Sequence, residues 1–79
     1  MALINTNKFD KTQKERNSVH KIVASTYTSF TDITGNRYFQ IDTYGSEDRK
    51  FQGKISQSLQ MDKETAEKLI EVLKREFQI

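Results

Sequence analysis

Residues 50–78 read KFQGKISQSLQMDKETAEKLIEVLKREFQ, and their hydrophobic period changes at Asp62. Before it, Phe51, Gly53, Ile55, Gln57, Leu59 and Met61 alternate with Lys50, Gln52, Lys54, Ser56, Ser58 and Gln60. That period of two belongs to a strand with one apolar and one polar face. Gly53 marks a bulge or bend at which the run would divide into two strands. After Asp62, the residues Ala66, Leu69, Ile70, Leu73 and Phe77 follow helical spacing as one apolar stripe. Asp62 is a good N-cap, and Glu64 lies in the first turn, where the helix dipole favours a carboxylate. Glu64–Lys68 and Glu71–Arg75 are i,i+4 pairs in the favourable order. The spacing predicts a helix over 62–78, with Leu69, Leu73 and Phe77 on its apolar stripe. Val72 and Ile79 fall off that stripe and are either idle or turned toward a second subunit.

Working upstream, RYFQIDTY (37–44) reads as a strand with Phe39 and Ile41 inward and Tyr38, Gln40, Asp42 and Tyr44 outward. Asp32-Ile33-Thr34-Gly35-Asn36 has hairpin chemistry, because Gly and Asn tolerate positive φ. HKIVASTYTSFT (20–31) is dense in β-branched and aromatic residues and reads as the partner strand. Ile22, Ala24 and Phe30 are placed inward there, with Lys21, Val23, Ser25, Tyr27 and Ser29 outward. A slip of one residue would exchange the two sets. Residues 1–17 show no periodicity and read as a flexible basic arm on a domain spanning 18–79. The expected fold class is α+β: an antiparallel, three- to four-stranded curved sheet followed by one C-terminal helix, dimeric.

Composition narrows the function. The chain has 79 residues, with 34% hydrophobic and 30% charged, enough for one small domain. Its longest apolar run, Met1 to Ile4, is far short of a membrane span. No signal peptide is expected, and a cytoplasmic location is. With no cysteine and one histidine, His20, the sequence offers neither a disulfide scaffold nor a thiolate or histidine metal site. Asp42, Glu47 and Asp48 match no calcium loop. Gly35 and Gly53 are isolated glycines rather than a phosphate loop. No nucleophile accompanies His20, so no enzyme activity, metal or cofactor is expected. A chain this polar, without disulfide or metal, is short of core and calls for oligomerisation.

Charge is uneven. Residues 1–21 hold five cations against two anions, +3; residues 22–61 hold four of each; residues 62–79 hold four against five, −1. A basic arm on a neutral body suits a polyanionic partner, or serves only as a solubilising tail. The open sheet face is expected to carry Tyr27, Tyr38 and Tyr44 as stacking platforms. Lys21, Lys50 and Lys54 would neutralise phosphates, and Gln40, Gln52, Ser56 and Gln60 would add polar contacts. Such a face suits single-stranded nucleic acid.

From Tyr38 onward the layout resembles the single-stranded-DNA-binding domain of the eukaryotic transcriptional positive cofactor four family, which has bacterial and phage relatives. The stretch that carries the resemblance runs Phe39-Gln40-Ile41-Asp42-Thr43-Tyr44, then Lys50-Phe51-Gln52-Gly53-Lys54, then Leu59-Gln60-Met61-Asp62-Lys63-Glu64 and the helix with Leu69 and Leu73. The family's strand arginine falls at Asp42, and the aromatic after its tyrosine falls at Gly45. The resemblance implies a four-stranded curved sheet, a transcription-coactivator-like role and a homodimer through the helices, with Leu69, Val72, Leu73 and Phe77 at the interface. It also implies single-stranded DNA bound across the sheets, with RNA left open as the strand.

The expected function is thus a homodimeric single-stranded nucleic-acid-binding protein of bacterial or phage type. The alternative is a phage or mobile-element interaction module, an inhibitor or adaptor docking on a host protein. The neutral body favours the alternative, and the basic arm favours DNA.

Overall fold

A computed structural model describes residues 1–45 and 54–79. The fold is α+β, a four-stranded mixed sheet followed by one C-terminal helix. The strands are β1 (Ala2–Ile4), β2 (Ser25–Thr31), β3 (Arg37–Tyr44) and β4 (Ile55–Asp62), ordered β1-β4-β3-β2 across the sheet. The helix α1 is Lys63–Phe77. No helix among the described residues is long and apolar enough to cross a membrane.

The period change at Asp62 is realised as strand running straight into helix. The Asp62 carboxylate accepts from the Thr65 amide at 2.9 Å, capping α1. At the other end Gln78 adopts φ 56°, a left-handed cap, and its amide bonds back to the Lys74 carbonyl. The 32–36 turn forms as its residues require. Asp32 Oδ1 accepts from the amides of Thr34 (3.0 Å) and Asn36 (2.9 Å) and from the Thr34 hydroxyl (2.7 Å). Gly35 takes φ 91°, a conformation that L side chains rarely adopt. These bonds, the Thr34 hydroxyl foremost and then the Asn36 amide, hold the Asp32 carboxyl below its usual pKa.

Two expectations about the chain upstream of the hairpin are corrected. The sheet is not wholly antiparallel, because β1 pairs in parallel with β4, Leu3 opposite Gln60 and Ile4 opposite Met61. Residues 2–9 therefore belong to the folded body instead of to a flexible arm. A 3₁₀ turn over Thr6–Lys8 follows, capped by Asn5. Lys68 donates to the carbonyls of Thr6 (3.2 Å) and Phe9 (2.5 Å), and its ammonium lies 5.5 Å from the Phe9 ring centre. The physical reason is edge protection: without β1, one side of β4 would present unpaired backbone groups.

The second correction is the start of β2, at Ser25 rather than residue 20. β3 ends at Tyr44, whose amide reaches the Ala24 carbonyl at 3.0 Å, and residues before Ala24 have no ladder partner among the described residues. Lys21 and His20 accordingly lie exposed in a segment without secondary structure, and Ile22 is exposed rather than inward.

The sheet has two distinct faces, set by register. Phe39, Ile41 and Thr43 of β3 pair with Met61, Leu59 and Gln57 of β4, forming the apolar face. Met61, at 3% exposure, is the buried apolar side chain among the described residues. Two residues back along β4, away from the helix, Leu59 is already 37% exposed. The helix thus shelters only the near end of this face. Thr65, Lys68, Leu69 and Val72 lie on the enclosed side of α1, with Thr65 and Lys68 bonded to the N-terminal segment. Ile70 (55%) and Phe77 (71%) remain exposed, with Leu73 beside them. Val72, expected off the packed stripe, is half-buried.

Candidate nucleic-acid interface

The opposite face carries Tyr38, Gln40, Asp42 and Tyr44 from β3, as their alternation requires. Register adds Asp62, Gln60 and Ser58 from β4, paired with Tyr38, Gln40 and Asp42. From β2 it adds Phe30, Thr28 and Thr26, paired with the same three β3 residues. Leu3 joins from β1 beside Gln60.

Aromatic rings and polar groups are segregated on this face. At one end Phe30 and Tyr38 sit 5.7 Å apart, tilted by 32°. At the other, the Tyr44 hydroxyl and Thr26 Oγ1 share a hydrogen bond of 3.0 Å. Between them runs a polar ladder. Gln60 Nε2 donates to Gln40 Oε1 at 2.7 Å, and Gln40 Nε2 donates to Asp42 Oδ1 at 2.8 Å. Ser58 Oγ donates to the same Asp42 oxygen at 2.6 Å. Asp42 is only 6% exposed. The Asp42 carboxylate therefore turns into the ladder, where neutral donors bond it.

Of the residues expected on this face, Tyr38, Gln40, Tyr44 and Gln60 are there together. Tyr27 is not: it pairs with Ile41 on the apolar face and stacks on Phe39 with ring centres 5.4 Å apart. The β2 faces are exchanged by one residue relative to expectation, because Phe30 pairs with Tyr38, not with Phe39. Ser56 is the extra residue of a bulge. Tyr44 pairs with Ile55 and Thr43 with Gln57, so Ile55 takes the Tyr44 side of the ladder. Ile55 was expected on the apolar set, and no strand pattern could have shown the change. Lys54 is exposed at the entrance to β4. Lys50, Gln52, Phe51 and Gly53, with Glu47 and Asp48, lie outside the described residues, as does the expected bend at Gly53. Phe30, Thr26 and Leu3 are the contributors that sequence reading missed, whereas Ser58 lies on the polar side of its strand as read.

The cations of the N-terminal segment lie along α1 where their contacts are seen. Lys8, Lys14 and Arg16 are exposed there, while Lys11 pairs with Glu76 at 3.2 Å. Arg37 points to the other face, where it donates to Ser29 (2.7 Å) and Thr31 (3.2 Å). No group of three or more acidic, histidine or cysteine side chains placed to hold a metal occurs among the described residues. Comparison with protein-family models, with curated proteins and with solved structures finds no match.

Proposed function

We propose that this protein binds single-stranded nucleic acid, DNA in preference to RNA, across the Tyr38–Gln40–Gln60 face of its sheet. One observation carries the reading: an aromatic pair, Phe30 and Tyr38, stands beside a row of amides and hydroxyls on the same face. Unpaired bases stack on such rings, and the amides and hydroxyls meet base edges or phosphates. Asp42 is sunken and takes hydrogen bonds from Gln40 and Ser58 rather than standing out from the face. Lys21 and Lys54 supply phosphate contacts; Lys50, expected beside them, lies outside the described residues. The likeness to the positive cofactor four domain supports the same reading. No catalysis or cofactor is part of it.

The binding species is a homodimer. The accessible surface of 7484 Å² exceeds by about 2,500 Å² the roughly 5,000 Å² typical of a folded monomer of this mass. The extended segment 10–24 accounts for part of that excess. A standard interface needs about 800 Å² from each partner. The ridge of half-buried Ala66 and exposed Ile70, Leu73 and Phe77 has coiled-coil spacing. Set antiparallel against a second copy, Ala66 meets Phe77 of the partner subunit, small against large, and Ile70 meets Leu73 of the partner subunit. Glu67 then faces Lys74 of the partner subunit on both flanks. A parallel pair would instead set Asp62 against Glu67 of the partner subunit. Leu73 and Phe77 of the expected interface lie on this ridge, whereas Leu69 and Val72 lie toward the N-terminal segment.

The exposed apolar ridge also favours a second reading, an adaptor that docks on a host protein. Electrophoretic titration with single-stranded, double-stranded and RNA oligomers at two salt concentrations separates the two. Strong preference for single strands supports the first, and weak binding indifferent to strandedness supports the second.

A further inference from the structure

The sheet ends in β1 on one side and β2 on the other, and the two edges are guarded differently. β1 is only three residues long, and shortness is one way in which proteins blunt an edge. β2 runs for seven residues, Ser25–Thr31, with no charge and no proline, and every one of them is exposed. It pairs with β3 in unbroken register, so no bulge turns it aside. We infer that the free edge of β2 is a docking site for β2 of a second copy of this chain, joined antiparallel about Thr28. The inference is independent of the nucleic-acid reading and of the helix ridge.

The β2–β3 ladder decides which backbone groups are on offer. At its two ends the Tyr44 amide bonds the Ala24 carbonyl and the Asp32 amide bonds the Asn36 carbonyl. Antiparallel strands alternate bonded and non-bonded pairs, so Thr26, Thr28 and Phe30 turn their backbone groups toward β3. Ser25, Tyr27, Ser29 and Thr31 turn theirs outward, where no strand of the sheet pairs with them. An occupant has to meet those groups with an equally neutral strand, because β2 offers no counter-charge to a charged one. β2 itself fits. With Thr28 opposite Thr28 of the partner subunit, Tyr27 faces Ser29 of the partner subunit and Ser25 faces Thr31 of the partner subunit. Each of these is a bonded pair, and the register uses the whole strand. Threonine against threonine on the axis is a favourable cross-strand pair. Arg37, bonded to Ser29 and Thr31, lies at opposite ends of the pair in the two copies, so no like charges meet. The two-fold axis stands perpendicular to the sheet, which sets both Tyr38 faces on the same side. Seven paired residues cover less than the roughly 800 Å² per partner of a standard interface. The contact is therefore weak, made at millimolar rather than micromolar concentration.

The chain has no cysteine, so a single introduced thiol reports its neighbour in the pair. Thr28→Cys, Thr26→Cys and Phe30→Cys are oxidised separately at millimolar concentration, and linked dimer is followed over time on non-reducing gels. Melting curves check that each variant is folded. In a non-bonded antiparallel pair the Cα atoms lie about 4.5 Å apart, within reach of a disulfide. Thr28→Cys should link to itself severalfold faster than either of the others, which have only random collision to join them. A one-to-one mixture of Thr26→Cys and Phe30→Cys should link severalfold faster than its components, because Thr26 meets Phe30 of the partner subunit across the axis. Equal rates for the three single variants, or a mixture no faster than its components, overturns the inference.

Discussion

The Thr65 hydroxyl donates to the backbone carbonyl of Ile4 at 3.2 Å, joining the first turn of α1 to a strand 61 residues earlier. Thr65 is the most enclosed side chain among the described residues, at 1% exposure. A hydroxyl in that setting must find an acceptor, and the one it finds lies on β1. Thr65→Val keeps the shape and removes the donor. It should destabilise the domain by about 1–2 kcal/mol in a urea melt, while Thr65→Ser stays closer to the wild type.

The same tie predicts where the chain is cut. Residues 10–24 carry no secondary structure and are exposed apart from half-buried Val23, so a protease should cleave there. Deleting residues 1–9 is a different matter. It removes the β4 edge partner and the carbonyls that Lys68 binds. Thermal melting of that truncation should show a clear loss of stability or aggregation through the open edge. An unchanged melt would show that β1 is dispensable.

Acid sensitivity should have identifiable sources. Asp62 has its pKa lowered chiefly by the Thr65 amide; Asp32 has its pKa lowered by the Thr34 hydroxyl and then the Asn36 amide. A carboxyl whose folded pKa lies below the ordinary 3.8 contributes stability above that value. The contribution disappears as pH falls through the lowered folded value. Asp32→Asn and Asp62→Asn should therefore narrow the stability difference between pH 7 and pH 3, measured by urea denaturation. The Asn variants should approach the wild type at the acid end.

Most of the fold was legible because it follows from local chemistry. The period change at Asp62, the Asp-x-x-Gly-Asn turn and the alternation in 37–44 each act within a few residues, and each formed as read. β1 was not legible: three residues, Ala2–Ile4, are too few to show a period, and a parallel partner more than fifty residues away leaves no local trace. The β2 face was also illegible. Tyr27 and Phe30 lie on opposite faces, and both are large aromatics, so hydrophobicity alone could not say which belonged with Tyr38. Gln40 and Gln60 were read as surface polar contacts, but their order and direction come from Asp42, whose burial no pattern announces.

The exposed helix ridge makes the oligomer testable without unfolding the chain. Phe77 is 71% exposed, so Phe77→Glu should fold normally yet run at the monomer mass of 9.3 kDa in light scattering. Glu67→Lys and Lys74→Glu should each weaken the dimer, and the double swap should restore it in part. A wild type that is monomeric at micromolar concentration would remove the ridge as a self-association surface.

Nucleic-acid binding on the Tyr38 face is tested most directly by one titration of single-stranded and duplex oligonucleotides against Tyr38→Ala, Tyr38→Phe and Tyr27→Ala. Tyr38→Ala should lose about 1–3 kcal/mol of single-strand affinity, the size of one base–aromatic stack. Tyr38→Phe should be close to neutral, because the ring face and not the hydroxyl does the stacking. Tyr27→Ala, on the opposite face against Phe39, should leave binding unchanged. Equal affinity of the wild type for single and double strands, with Tyr38→Ala silent, would contradict single-strand binding on this face.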